Sequence, residues 1–256
     1  MGGSEPLVVR RAGDKLTAEM VIASQTETIT MADGGTMDAY VAVPESGRGP
    51  GMLVLMEIFG VGDYIREAID RLAKLGYVAI APDLYRRIRP KAEFGKGDEA
   101  LQEAFATSQQ LDHEGAIADA IVALDALRAR PDVEAGAGVI GFCLGGTLAF
   151  GVACAAEPNA LVAYYGSGIP ELLDDADQIS CPALFHFGGQ DPYTPRQQAE
   201  RVGAVAAGRD GWGCHIDVDG GHAFDNWDNP MFHQPEPAAR AWKLTRTFLA
   251  RTVPVG

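Results

Sequence analysis

Three side chains of this sequence, met in the order Cys143, Asp191, His222, have the types and surroundings needed for covalent acyl chemistry. The cysteine stands in Gly141-Phe142-Cys143-Leu144-Gly145, between an apolar run and a helical one. That frame is a nucleophile elbow: the glycines let strand and helix approach closely, and the nucleophile rides at the apex of the turn. A thiol at the N-terminus of the next helix is biased toward thiolate by free N–H groups and the helix dipole. Asp191 follows an apolar run ending in Gly188-Gly189-Gln190, and His222 sits in Asp219-Gly220-Gly221-His222-Ala223-Phe224. Nucleophile, then acid, then histidine is the chain order such an elbow requires. In this reading Cys143 attacks an acyl carbonyl, His222 moves protons, and Asp191 fixes the imidazole and stabilises its charge. The backbone N–H groups of Leu144 and Ile58 are the expected oxyanion hole.

Each of these residues has a plainer role to be weighed. A cysteine in an α/β turn is often a small buried hydrophobe, and glycine-rich strand-to-helix turns also bind phosphate. Asp191 lies in good turn chemistry, and a loop histidine is usually solvated. The ordered set of three is more specific than any member. The other histidines fit less well: His113 starts a helix, His186 and His215 lie in strand patterns, and His233 lies beyond the loop. His222 with Asp217, Asp219 or Asp225 matches no metal-ligand spacing, so no metal is expected. A thiol at a helix N-terminus is also easily oxidised, which makes a redox-sensing or binding protein the alternative of another class. Glu57 ends an apolar strand: buried and facing the elbow, it would have a raised pKa and could pair with the thiol, whereas its plainer role is a strand-end residue pointing to solvent.

The elements that must position these groups alternate between strand and helix. Thr26 to Met31 and Met37 to Val43 read as a hairpin around Asp33-Gly34-Gly35, followed by a fully apolar strand, Met52 to Ile58. Helices are expected from Asp63, as its cap, to Leu75, from Asp98 to Gln110, from Asp112 to Arg128, through the elbow to Ala156, over 196–206, and from Pro237 to Leu249. Strands are expected at 77–81, 137–142, 160–165, 183–187 and 215–218. Leu84 to Gly97, with Arg86, Arg87 and Arg89, reads as a surface excursion over the carboxyl edge of the sheet. This is a parallel βαβ pattern with short connections, so residues 25–256 are expected to form one α/β domain. Residues 1–24 lack periodicity and read as a mobile or loosely attached extension.

Composition narrows the function further. Of 256 residues 47% are hydrophobic and 22% charged, as in ordinary globular proteins. The net charge of −14 argues against nucleic-acid and anionic-membrane partners. Four cysteines without a CxxC pair suit a reducing compartment, and the sequence lacks a signal-peptide or membrane-span pattern; a cytoplasmic protein is expected.

Five stretches together resemble the dienelactone hydrolase (carboxymethylenebutenolidase) family of α/β-hydrolases. They are Met56-Glu57-Ile58-Phe59-Gly60-Val61, Ala81-Pro82-Asp83-Leu84-Tyr85, Gly141-Phe142-Cys143-Leu144-Gly145-Gly146, residues 183–191, and Gly221-His222-Ala223-Phe224. The resemblance implies a mostly parallel sheet of about eight strands with helices on both faces, a Cys143–His222–Asp191 triad, and no cofactor. It further implies that Glu57 partners the resting thiol and is displaced by substrate, and it allows a monomer or weak homodimer. Members that cleave dienelactone hold its carboxylate with two arginines, whose places here fall on Leu101 and Asn226; a nearby tyrosine falls on Phe105. A small ester or lactone, neutral or larger than dienelactone, is therefore the expected substrate. Phe59, Tyr85, Phe105, Phe224 and Trp227 are expected around it. An arginine from Arg86, Arg87 or Arg89 would instead restore dienelactone itself. A thioesterase, amidase or peptidase would share the same acyl chemistry.

Overall fold

The computed structural model describes residues 23–256, so all but the end of the extension read over 1–24 lies outside the described residues. Strands β1 (Ala23–Thr30) and β2 (Thr36–Val43) form the antiparallel hairpin, turning at Asp33-Gly34-Gly35. The fully buried apolar run after it is β3 (Gly49–Leu55), and α1 (Asp63–Lys74) leads to β4 (Val78–Pro82). Gly62, not Asp63, is the N-cap of α1; Asp63 is its first helical residue, where a carboxylate favours the dipole. Next come α2 (Asp98–Ser108), α3 (His113–Arg128), β5 (Val133–Phe142) and α4 (Leu144–Ala156). The chain ends with β6 (Leu161–Tyr164), two short 3-10 helices within residues 169–178, β7 (Ala183–Gly188), α5 (Arg196–Ala207), β8 (Trp212–Asp217) and α6 (Pro235–Thr252).

The eight strands make one sheet in the order β1-β2-β4-β3-β5-β6-β7-β8, with β3 to β8 parallel. From β3 the chain crosses to β4 on one side and then to β5 on the other. Right-handed crossovers in opposite directions place their helices on opposite faces of the sheet. Thus α1 shares a face with α6, the Arg71 guanidinium lying 4.6 Å from the Trp242 ring, while α3 packs beside α4. The reversal leaves a crevice at the carboxyl ends of β3 and β5, where open α/β sheets hold their ligands. The loops carrying Glu57 and Cys143 leave the sheet at that place.

The segment after β4 is anchored more firmly than its basic composition suggests. Tyr85 and Ala92 are buried, and Arg86 donates to Asp119 on α3 at 2.7 Å and to Asp33 in the hairpin turn at 2.8 Å. Helix α2 departs from an ordinary amphipathic helix. Only Ala104 and Thr107 are buried, so its apolar Leu101 and Phe105 serve something other than the core.

The close passage of α4 over β3 rests on Gly145, where an added Cβ would lie 2.2 Å from the Leu55 carbonyl oxygen. Gly145→Ala should therefore lower stability by about 1–3 kcal/mol as backbone shifts to relieve the clash. Calorimetry should find a melting temperature several degrees lower; an unchanged one would show that α4 does not need this approach.

Candidate active site

Cys143 is the residue between the last position of β5 and the first of α4, at φ 52°, ψ −116°. A side-chain-bearing residue adopts that conformation only where its surroundings enforce it. Here the Cys143 N–H donates to the Tyr164 carbonyl at 3.0 Å, and its own carbonyl accepts from Gly146 and Thr147. Gly141 completes the constraint, because a Cβ there would lie 1.9 Å from the Gly145 carbonyl oxygen. The sharp turn lifts the sulfur out of the sheet edge into the crevice. Beside it, the N–H groups of Ile58 and Leu144 donate to no backbone carbonyl among the described residues, and both residues line the same cleft.

His222 reaches the sulfur from the loop after β8. That loop is pinned where the Gly221 N–H donates to the Gln234 side chain at 2.6 Å and the Gln234 N–H to the Phe224 carbonyl at 2.9 Å. His222 Nδ1 donates to Asp191 Oδ2 at 2.8 Å, and Nε2 lies 3.0 Å from Cys143 Sγ. The other Asp191 oxygen accepts the N–H groups of Tyr193 at 2.7 Å and Thr194 at 3.2 Å, so the buried carboxylate is fixed and satisfied on both sides. Burial pulls the imidazolium's pKa down, but the charge of Cys143 and the Asp191 hydrogen bond outweigh it. The result is a pKa raised well above the ordinary histidine value. Tyr165 and Tyr193 flank the ring, at centroid distances of 5.4 and 4.8 Å.

Glu57 departs from the expected pairing with the resting thiol. The sulfur's hydrogen-bond partner is His222, while Glu57 Oε2 accepts from the Asn226 side-chain amide at 2.6 Å. Glu57 is 1% exposed, and its Oε1 has no hydrogen-bond partner among the described residues. Nearby, Tyr64 donates to Asp225 at 2.8 Å and its hydroxyl pairs with that of Tyr165 at 3.1 Å. Burial pushes the Glu57 pKa up to about 7, against the opposing pull of His222, Asn226 and the Tyr165 hydroxyl. The neutral Asn226 amide lowers that pKa less than an arginine's full charge there would.

A cleft of about 450 Å³ opens on the sulfur. Phe59, Leu101, Phe105 and Phe232 supply its apolar wall, and among the described residues no lysine or arginine lines it. The apolar face of α2 is thus turned to the cleft rather than to the core. Phe59 and Phe105 stand where the sequence reading put them; three other expected contacts do not. Tyr85 is fully buried and donates to the Ile58 carbonyl at 2.9 Å, so it supports the loop of the expected oxyanion hole instead of lining the cleft. Phe224 is buried against Tyr164 and Tyr165, and Trp227 is 44% exposed, with its indole donating to Glu67. The three candidate arginines are engaged elsewhere: Arg86 and Arg87 on Asp119, Arg89 on Glu103. Sequence reasoning missed Phe232, Tyr193 and His113 as lining residues. Tyr193, two residues past Asp191, was the most accessible of these, whereas Phe232 lies in an aperiodic loop.

Among the described residues no group of three or more His, Cys, Asp or Glu is placed to hold a metal ion, and no helix is long and apolar enough to cross a membrane. Of the aspartates near His222 in sequence, Asp217 binds Arg240 and Asp225 binds Arg71 and Tyr64.

This sheet order, with an elbow after β5, an acid after β7 and a histidine after β8, defines an α/β-hydrolase. The description Dienelactone hydrolase family matches residues 37–253, and the chain belongs to that family. A carboxymethylenebutenolidase of Pseudomonas sp. (strain P51) is 33% identical over 231 residues, covering 90% of this chain and 96% of the relative. A carboxymethylenebutenolidase of Pseudomonas putida is 34% identical over 198 residues, 77% of this chain and 84% of the relative. A crystal structure of a candidate dienelactone hydrolase from Klebsiella pneumoniae subsp. pneumoniae MGH 78578 superposes with a TM-score of 0.76 at 26% identity, covering 90% of this chain and 99% of that one. The chain is a dienelactone hydrolase-like hydrolase.

Because the Glu57 pKa is raised from the usual 4.5 to about 7, the native state retains a proton that the unfolded chain releases. Its stabilising contribution is complete below pH about 4.5 and is lost as pH rises through about 7. Thermal melts of Glu57→Gln should lack the part of the wild-type decline that falls in this window; parallel curves would contradict a buried acid at this position.

Proposed function

We propose that the protein hydrolyses a small neutral ester or lactone through an acyl-enzyme on Cys143. The observation that carries this reading is the largely apolar cleft, without lysine or arginine among the described residues, that opens on the Cys143–His222–Asp191 chain of hydrogen bonds. The sulfur attacks the substrate carbonyl carbon, and the developing oxyanion turns toward the Ile58 and Leu144 N–H groups. Each such donor is worth about 10²–10³ in rate. As the tetrahedral species collapses, His222 gives its proton to the leaving oxygen and the alcohol departs. Water then attacks the thioester carbonyl, His222 takes one of its protons, and the C–S electron pair returns to the sulfur as the acid leaves. Asp191 holds the imidazole in the tautomer both steps need.

The name of the Pseudomonas relatives points to a lactone that carries a carboxylate. In this chain Leu101 lines the cleft and Asn226 is occupied by Glu57, so such a carboxylate would enter without a cationic partner. An anion desolvated without a partner is costly, whereas the methyl ester of the same molecule loses nothing. The redox-sensing alternative gives no purpose to an aspartate bonded on both sides and aimed through His222 at the sulfur.

In direct competition, the methyl ester of a carboxylate-bearing lactone should be hydrolysed with at least about tenfold higher kcat/KM than the free acid, the equivalent of one unpaired charge contact. Preference for the free acid would overturn the neutral-substrate reading. Cys143→Ala should lose at least about 10³-fold in turnover; retained turnover would overturn the acyl-enzyme.

A further inference from the structure

A second cavity, of about 310 Å³, lies on the far side of Glu57 from the sulfur cleft. Glu57 and Phe59 line both cavities and so form the wall between them. The second space is the more polar of the two. Beyond the wall stand Asn226, Asn229, Asp63, Glu93, Lys96 and Asp228, with Lys96 paired to Asp228 at 2.7 Å and Arg66 to Glu93 across the rim. Tyr64, Ile65 and Phe94 complete a mixed lining that offers water more polar partners than the sulfur cleft does, and at about 30 Å³ per water the space has room for several. In the shared wall, the buried Glu57 Oε1 lacks a partner although Oε2 is fixed by Asn226. An unpaired buried oxygen is costly unless a ligand satisfies it.

We propose that this polar cavity is the acceptor chamber of the reaction, where water, or a short alcohol in its place, hydrogen-bonds to Glu57 Oε1 before passing to the acyl group on Cys143. The inference rests on the acyl-enzyme reading. The bulky acyl group and the leaving alcohol occupy the apolar cleft, so the second reactant reaches the thioester from the opposite side. Glu57 acts as a positioning residue: it holds the acceptor, while His222 takes the proton as the acceptor oxygen attacks the carbonyl and the C–S bond breaks. With water the product is the acid; with an alcohol it is a new ester.

The chamber can be filled without touching the reacting groups. Gly62, at φ −82°, and Gly95 both line it, and an added Cβ at either meets nothing within 4 Å. Stopped-flow measurements with a neutral aryl ester should give wild type, Gly62→Leu and Gly95→Leu similar acylation bursts. Steady-state turnover should fall about tenfold in the filled variants, the equivalent of a lost acceptor contact. With added glycerol, the ratio of glyceryl ester to acid should change in both variants. Normal bursts with normal turnover and an unchanged product ratio would overturn the chamber and leave the acyl-enzyme intact. Loss of the burst along with turnover in both variants would assign the cavity a structural role and also overturn the proposal. A wild type that forms no acyl adduct would overturn the acyl-enzyme and the chamber together.

Discussion

Cys143 carries a side chain at φ 52°, ψ −116°, a conformation that costs about 1–3 kcal/mol wherever it occurs. The surrounding structure holds it there through Gly141 and Gly145, whose missing Cβ atoms leave room for α4 to pass over the ends of β3 and β5, and through the hydrogen bond to Tyr164. From this strained residue follow the position of the sulfur, the direction of the Leu144 N–H, and the place that His222 must reach. The loop after β8 answers with its own positive-φ residue, Ala223 at 51°, next to the imidazole. Two tight turns from distant parts of the chain thus meet within one hydrogen bond.

Charge is arranged around that meeting point by burial and pairing. Asp191 is satisfied by two backbone N–H groups and by His222, and its hydrogen bond helps to hold the imidazole's pKa above the ordinary histidine value. Glu57 is treated in the opposite way: buried, joined to a neutral amide and left with one free oxygen, it is poised to hold a proton. Two acids within one site thus sit in opposite surroundings, Asp191 bonded through both oxygens and Glu57 through one. The Tyr64–Asp225–Arg71 chain behind Glu57 absorbs the remaining buried charge without supplying a donor to it.

Much of this was legible in the sequence because the informative residues sit where strands end. The elbow, the aspartate after β7 and the histidine after β8 each follow an apolar run, and the alternation of runs and helical patterns foretold the parallel sheet. What was not legible depends on which way a loop side chain points. Tyr85 and Phe224 follow strand-end motifs closely enough to suggest cleft contacts, yet one turns inward to the Ile58 carbonyl and the other into the aromatic core. Arg86 looked solvated in a basic run, but Asp119, one turn out of the apolar pattern of α3, draws it inward. Glu57 was recognised as unusual, while its partner was not. The bond to Asn226 joins residues 169 apart in the chain, and no local periodicity predicts such a pair.

The central claim is that Cys143, among four cysteines, carries the acyl group. A neutral activated aryl ester should be mixed with the protein, quenched in acid within milliseconds, and the adduct located by intact mass and peptide mapping. The account predicts one acyl group per chain, on the peptide containing Cys143 and absent from Cys143→Ala. An adduct on Cys154, Cys181 or Cys214, or one that persists in Cys143→Ala, would contradict it.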